Sequence, residues 1–232
     1  MKTIGLIGGM SSESTISYYQ LINQMINEKF GKLHSAKMVV ASVDFEEIES
    51  LQNSGNWKTA GKLLAHEAKK LENAHCDFVI LATNTMHKVA SQIESAISIP
   101  FLHIADCTAR ELVKNNVKKV GLLGTAYTME QDFYKERIQK NFNIEVAVPN
   151  EMDRKFIHKV IFEELCIGVI EKTSRVQYVK IIDRLLDDGV EGVILGCTEI
   201  SLLISQKDTP VKLFDTTYLH AKSAVEFALA DK

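Results

Sequence analysis

KTIGLIGG at residues 2–9 and KKVGLLGT at residues 118–125 share one pattern. Each opens on a lysine, runs through an apolar stretch and breaks at glycine, as a buried parallel strand does when it feeds a tight turn. A second pair follows in the same order, FVILATNT at 78–85 and GVILGCTE at 192–199. The segments IPFLHIAD and TPVKLFD, ending at Asp106 and Asp215, form a looser third pair. The offsets are 116, 114 and 109 residues. Chance resemblance between apolar strands would explain one match; three in order at similar offsets point to two related lobes.

The rest of the chain is organised accordingly. Strands are predicted at 3–8, 37–43, 77–83, 100–105, 119–125, 144–149, 192–196 and 211–215. Helical patterns fill most intervals, among them SYYQLINQMINEKF, WKTAGKLLAHEAKKLENA, TMEQDFYKERIQKNF, FIHKVIFEELC and RVQYVKIIDRLLDDG. The three prolines fall outside these helical periods, so none interrupts the backbone ladder there. Strands alternating with helices imply an α/β fold with mainly parallel sheets, here two pseudo-symmetric Rossmann-like lobes. The expected division is 1–103 plus 209–232 for the first lobe and 104–208 for the second, with the C-terminal strand and helix returning to the first. Ligands in such folds sit beyond the carboxyl ends of the strands, which predicts an active-site cleft between the lobes.

Composition excludes several classes. The chain has 232 residues, is 46% hydrophobic and carries a net charge of −3, so no general attraction to nucleic acid or an anionic membrane is expected. The N-terminal MKTIGLIGGM lacks the long apolar region of a signal peptide, and no run reaches a membrane span. Four cysteines without a C-x-x-C pair suit a reducing cytoplasm. The seven histidines show no metal-ligand spacing, so no metal site is expected.

Cys197 stands where an apolar strand ends in Gly-Cys-Thr-Glu. A thiol has an ordinary pKa of about 8.5, and the N–H groups of a following helix can lower it to give a usable thiolate. Cys76 and Cys107 lack such a turn, and Cys166, within the period of IFEELC, reads as a buried small hydrophobe. The partner tip runs Thr83-Asn84-Thr85-Met86-His87, and superposing the tips places Thr83 at the position of Cys197. Asn84, Thr85 and Thr198 offer neutral hydrogen-bonding groups, and the backbone amides beside them suit a carboxylate. The turn Gly8-Gly9-Met10-Ser11-Ser12 and its counterpart at Thr125 supply further strand-to-helix loops. Neither G-x-G-x-x-G nor a Walker-type lysine is present, which argues against dinucleotide and nucleoside triphosphate cofactors.

These motifs together, IGLIGGMSSEST, TNTMHK, FLHIAD, LLGT with TMEQDFY, IFEEL, GCTE and FDT, resemble the cofactor-independent aspartate/glutamate racemases. The resemblance spans both lobes and implies a homodimer acting on a free acidic amino acid, with neither pyridoxal phosphate nor a metal. It also implies two cysteines on opposite faces of the substrate. Here the usual Cys-Asn-Thr is Thr83-Asn84-Thr85. An alcohol is a poor general base near neutrality but can relay a proton. The resemblance therefore implies removal of the Cα proton of an L-amino acid by Cys197, with Thr83 or a water it positions reprotonating the other face. Met10, Gln52, Asn84, Thr85, Thr125, Thr198 and Glu199 are the expected substrate-binding residues, with Ser11 and His87 in support. Glu199 is a candidate for the substrate ammonium, Gln52 for the distal carboxylate. The basic residue expected near IFEEL is replaced by Glu163 and Glu164.

Three other readings compete. Single-cysteine decarboxylases of activated malonates use a thiol to protonate a carbanion, and maleate-type cis-trans isomerases add a thiol to an alkene. A bilobal protein that binds an amino acid without turning it over is the third.

Overall fold

The computed structural model describes residues 1–230. It divides into Met1–Ile104 with the segment from His220 onward, and Ala105–Leu219. In the first unit the order is β1 (Ile4–Gly8), α1 (Ser12–Phe30), β2 (Met38–Ser42), α2 (Phe45–Asn53), α3 (Trp57–Asn73), β3 (Phe78–Leu81), a 3-10 turn at Thr85–Val89 and α4 (Ala90–Ala96). Its parallel sheet has the order β2-β1-β3.

Alternation along the strands explains why helices cover both faces. Ile4, Leu6, Phe78 and Ile80 point into a core closed by Tyr18, Ile22 and Ile26 of α1. Ile7, Val79 and Leu81 point the other way, onto Ala60, Leu64, Ala68 and Leu71 of α3. Side chains three or four apart on each helix form the stripe that the sheet face buries.

The second unit begins within α5 (Ile104–Lys114) and continues through β4 (Lys119–Gly124), α6 (Ala126–Glu130), α7 (Asp132–Phe142), β5 (Glu145–Ala147), α8 (Glu151–Glu163), α9 (Lys172–Asp187), β6 (Gly192–Gly196), α10 (Ile200–Leu203) and β7 (Lys212–Asp215). Its parallel strands have the order β5-β4-β6-β7. The repeat extends to register: Gly5 pairs with Val79 and Ile7 with Leu81, as Gly121 pairs with Val193 and Leu123 with Leu195. Thr83 and Cys197 each follow the last of those paired residues by two positions.

Several expectations change. PFLHIA forms no strand: Phe101 makes one bridge to Val79, and α5 starts at Ile104. The expected boundary at 209 also fails for residues 209–219, because β7 pairs with β6 and stays in the second unit. Of the C-terminal pair only α11 (Thr216–Leu229) reaches the first unit, where Ala221, Ala224 and Ala228 join the α1 core. Ile104 belongs to the first unit rather than the second. The TMEQDFY helix is interrupted at Gln131, whose backbone is extended. Among the described residues no helix is long and apolar enough to cross a membrane.

Candidate active site

The first-unit tip is built on close backbone approach. Gly9 has φ +93°, and a Cβ there would lie 2.2 Å from the Val43 carbonyl oxygen, so glycine alone fits the turn out of β1. Ser11 caps α1, its hydroxyl accepting from the Ser14 amide at 3.3 Å. Met10 lies in the hydrophobic core beside Ile48 and Met86. Gln52 is buried, and its Nε2 donates to Met86 Sδ at 3.0 Å, on the 3-10 turn that follows Thr83.

Thr83 is 8% exposed, and Asn84 and Thr85 are buried beside it. The Ser14 hydroxyl donates to the Ala82 carbonyl at 2.7 Å, and the Thr83 amide donates to the Leu81 carbonyl at 2.9 Å. His87 is also buried; its Nδ1 lies 2.7 Å from the Thr83 carbonyl, and its Nε2 accepts from the Ile104 amide at 3.2 Å. Both ring nitrogens are therefore engaged by backbone groups.

In the second unit Thr125 caps α6, accepting from the Thr128 amide at 3.3 Å. Cys197 is 8% exposed. Its thiol donates to Glu199 Oε2 at 2.9 Å, and the Thr198 hydroxyl donates to the same oxygen at 2.6 Å. Glu199 thus faces the thiol.

This geometry corrects the expected acidity of Cys197. Burial, followed by the Glu199 charge, pushes the thiol well above its ordinary value. The helix that follows is only Ile200–Leu203, too short to offset those two effects. At neutral pH Cys197 rests as a protonated thiol.

Cys166 was misread. It is half-buried on a 3-10 turn, and its thiol faces Glu199 Oε1 at 3.9 Å. Burial and the Glu199 charge raise its pKa too. The two thiols therefore share one carboxylate. Tyr178 donates to the Ile157 carbonyl at 3.3 Å, and burial, then the neighbouring Cys197, raise its pKa. The break of helical period at Gly168, whose φ is +75°, was the available signal that Cys166 is not on a helix face.

Chemically, the Cys197 thiol donates its hydrogen bond straight to the Glu199 carboxylate, which gives a proton a direct path from sulfur to oxygen. Burial penalises a second charge more than it penalises passing the proton from sulfur to oxygen, since the pair's net charge is the same before and after.

The family model of Asp/Glu/hydantoin racemases matches residues 7–224. A candidate Asp/Glu racemase from Yersinia pestis superposes with a TM-score of 0.93 at 50% identity, covering 99% of this chain and all (100%) of that one. An aspartate racemase homologue from Pyrococcus horikoshii gives 0.87 at 37% identity, with 99% and 100% covered. The broad-specificity amino-acid racemase RacX of Bacillus subtilis is 23% identical over 98% of both chains.

Proposed function

Because the chain belongs to the Asp/Glu/hydantoin racemase family, we propose that it racemises an acidic amino acid, aspartate or glutamate, with Cys197 as the base for the L-enantiomer. One observation supports this reading: Thr83 and Cys197 each stand two residues beyond equivalent paired positions, Leu81 and Leu195. Glu199 Oε2 takes the thiol proton, the thiolate removes the Cα proton, and Thr83 or a water it positions protonates the opposite face. Solvent returns a proton to the Thr83 side and receives the one held on Glu199, which closes the cycle.

Met10, Gln52, Asn84, Thr85, Thr125 and Thr198 are assigned to substrate binding, with Ser11 in support. The aspect of Glu199 toward Cys197 favours proton transfer over ammonium binding for that residue. The same reading has the protein work as a cytoplasmic homodimer without pyridoxal phosphate.

Chiral product analysis with both enantiomers of both acids tests it. Cys197→Ser should abolish inversion while leaving the fold intact; wild-type turnover in that variant would overturn the mechanism. A second reading draws on the protonated resting thiol, which suits a proton donor to a carbanion made by decarboxylation. Carbon dioxide release from an activated malonate, with no exchange at Cα of aspartate or glutamate, would favour it.

A further inference from the structure

We propose that His87 is a positioning residue, a clasp that fixes the Thr83 turn, and this rests on the role given to Thr83 above. A carbonyl oxygen can only accept, so the 2.7 Å contact to Thr83 requires the proton on His87 Nδ1. An amide can only donate, so the 3.2 Å contact from Ile104 requires the lone pair on Nε2. One neutral tautomer satisfies both bonds. The ring is 3% exposed and packs against His103 at 4.4 Å and Phe101 at 5.5 Å between centroids.

This tautomer excludes the base role that a histidine beside Thr83 invites. Taking a proton at Nε2 would place two hydrogens between that nitrogen and the Ile104 amide, and Nδ1 has no lone pair to offer. His87 acts on Thr83 instead. Three successive backbone groups of the turn are held, the Ala82 carbonyl by Ser14, the Thr83 amide by Leu81 and the Thr83 carbonyl by His87. Threonine is β-branched and stiff at χ1, so fixing its backbone confines its hydroxyl to few positions. The equivalent position in the second unit is Ser201, which donates to the Thr198 carbonyl at 3.2 Å and leaves Cys197 to be oriented by Glu199. The imidazole clasp thus belongs to the face that lacks a thiol.

Two variants separate the ends of the clasp. Asparagine places an amide nitrogen near Nδ1 and can keep the Thr83 bond; glutamine reaches toward Nε2 and drops it. The assay follows L-substrate in deuterated water and compares D-product with deuterated L-substrate. Cys197 alone can wash deuterium into L-substrate, whereas inversion needs Thr83 in place. His87→Gln should lower that ratio by about tenfold or more, since a misplacement of about 1 Å costs up to about a hundredfold. His87→Asn should hold the ratio within about threefold of wild type, as expected if one retained hydrogen bond keeps the geometry. Equal ratios in wild type and His87→Gln would overturn the proposal. Nitrogen-detected NMR of the wild-type chain supplies a readout independent of turnover: the Nδ1–H tautomer supports the clasp, and an Nε2–H tautomer or a cationic ring at neutral pH overturns it. A wild-type protein that shows the Nδ1–H tautomer but no exchange at Cα defeats the racemase reading, and the positioning role with it, while leaving the clasp itself supported.

Discussion

Acidification should destabilise the first unit through His220. This imidazole is fully buried at the start of the C-terminal return. Its Nε2 donates to the Leu102 carbonyl at 2.9 Å, and its Nδ1 accepts from the Tyr18 hydroxyl at 2.8 Å. Burial lowers its pKa from 6.5 to about 4. A base depressed in the folded state leaves the unfolded chain binding more protons between those values, so stability falls as pH falls through that window. The difference converts to about 3 kcal/mol once both states are protonated, of which about 2 kcal/mol should be lost between about pH 7 and about pH 5. The single tryptophan, Trp57 on α3, lies in the first unit and reports on it. Urea unfolding followed by Trp57 fluorescence should show that loss in wild type. His220→Gln can keep neutral partners without a titrating group, and its profile should be flatter by about 2 kcal/mol over the same range. Parallel profiles for the two proteins, or an NMR titration of His220 near 6.5, would refute the reasoning.

Glu199→Gln should separate thiol reactivity from catalysis: removing the charge beside Cys197 lets its pKa fall, so iodoacetamide labels it faster at about pH 8, as expected when the thiolate fraction rises, while inversion of L-substrate slows by about a hundredfold or more for want of a proton acceptor. Slower labelling, measured by mass spectrometry, would contradict the assigned electrostatics. Thr83→Cys should raise exchange from D-substrate by supplying a thiol on that face; proton NMR in deuterated water reads it, and a well-folded variant with unchanged D-exchange would count against the equivalence of the two tips. Gly9→Ala should cost about 1–3 kcal/mol because it adds a side chain at positive φ against the Val43 carbonyl; an unchanged urea midpoint would count against the tightness of that turn.

The repeat was legible because its signal is local. Glycine-ended apolar runs at 2–9 and 118–125 became β1 and β4, and matching residues even share pairing register. PFLHIA misled because Phe101, Leu102 and Ile104 look like strand residues, yet a single bridge forms before the chain enters α5. Their apolar character serves the packing of a strand-to-helix passage, which no period of two can distinguish over so few residues. The same looseness put 209–219 in the wrong unit: the repeat equates TPVKLFD with IPFLHIAD, but only α11 beyond it crosses back.

Site residues divide along a similar line. That Thr83 and Cys197 follow β3 and β6 could be read because strand ends announce themselves in order, whereas Gln52, inside α2, was suggested by the resemblance alone. The acidity of Cys197 could not be read, since it depends on burial and on which way the Glu199 carboxylate turns. Cys166 meets that carboxylate across 33 residues of sequence, a contact with no periodic trace. His87 stood out only as a polar residue near Thr83; its restraint by Ile104 follows from where the chain leaves the first unit.

The most direct test of the proposed chemistry is the initial rate of deuterium incorporation at Cα of L- and D-aspartate and of L- and D-glutamate, each saturating, with the unmodified protein in deuterated water. In the proposed mechanism Cys197 serves the L-face as a base assisted by Glu199, and the Thr83 hydroxyl offers the D-face a far weaker one. Exchange from at least one L-enantiomer is expected to outrun exchange from its mirror image. Equal rates from both enantiomers, or no exchange from any of the four, would contradict the account.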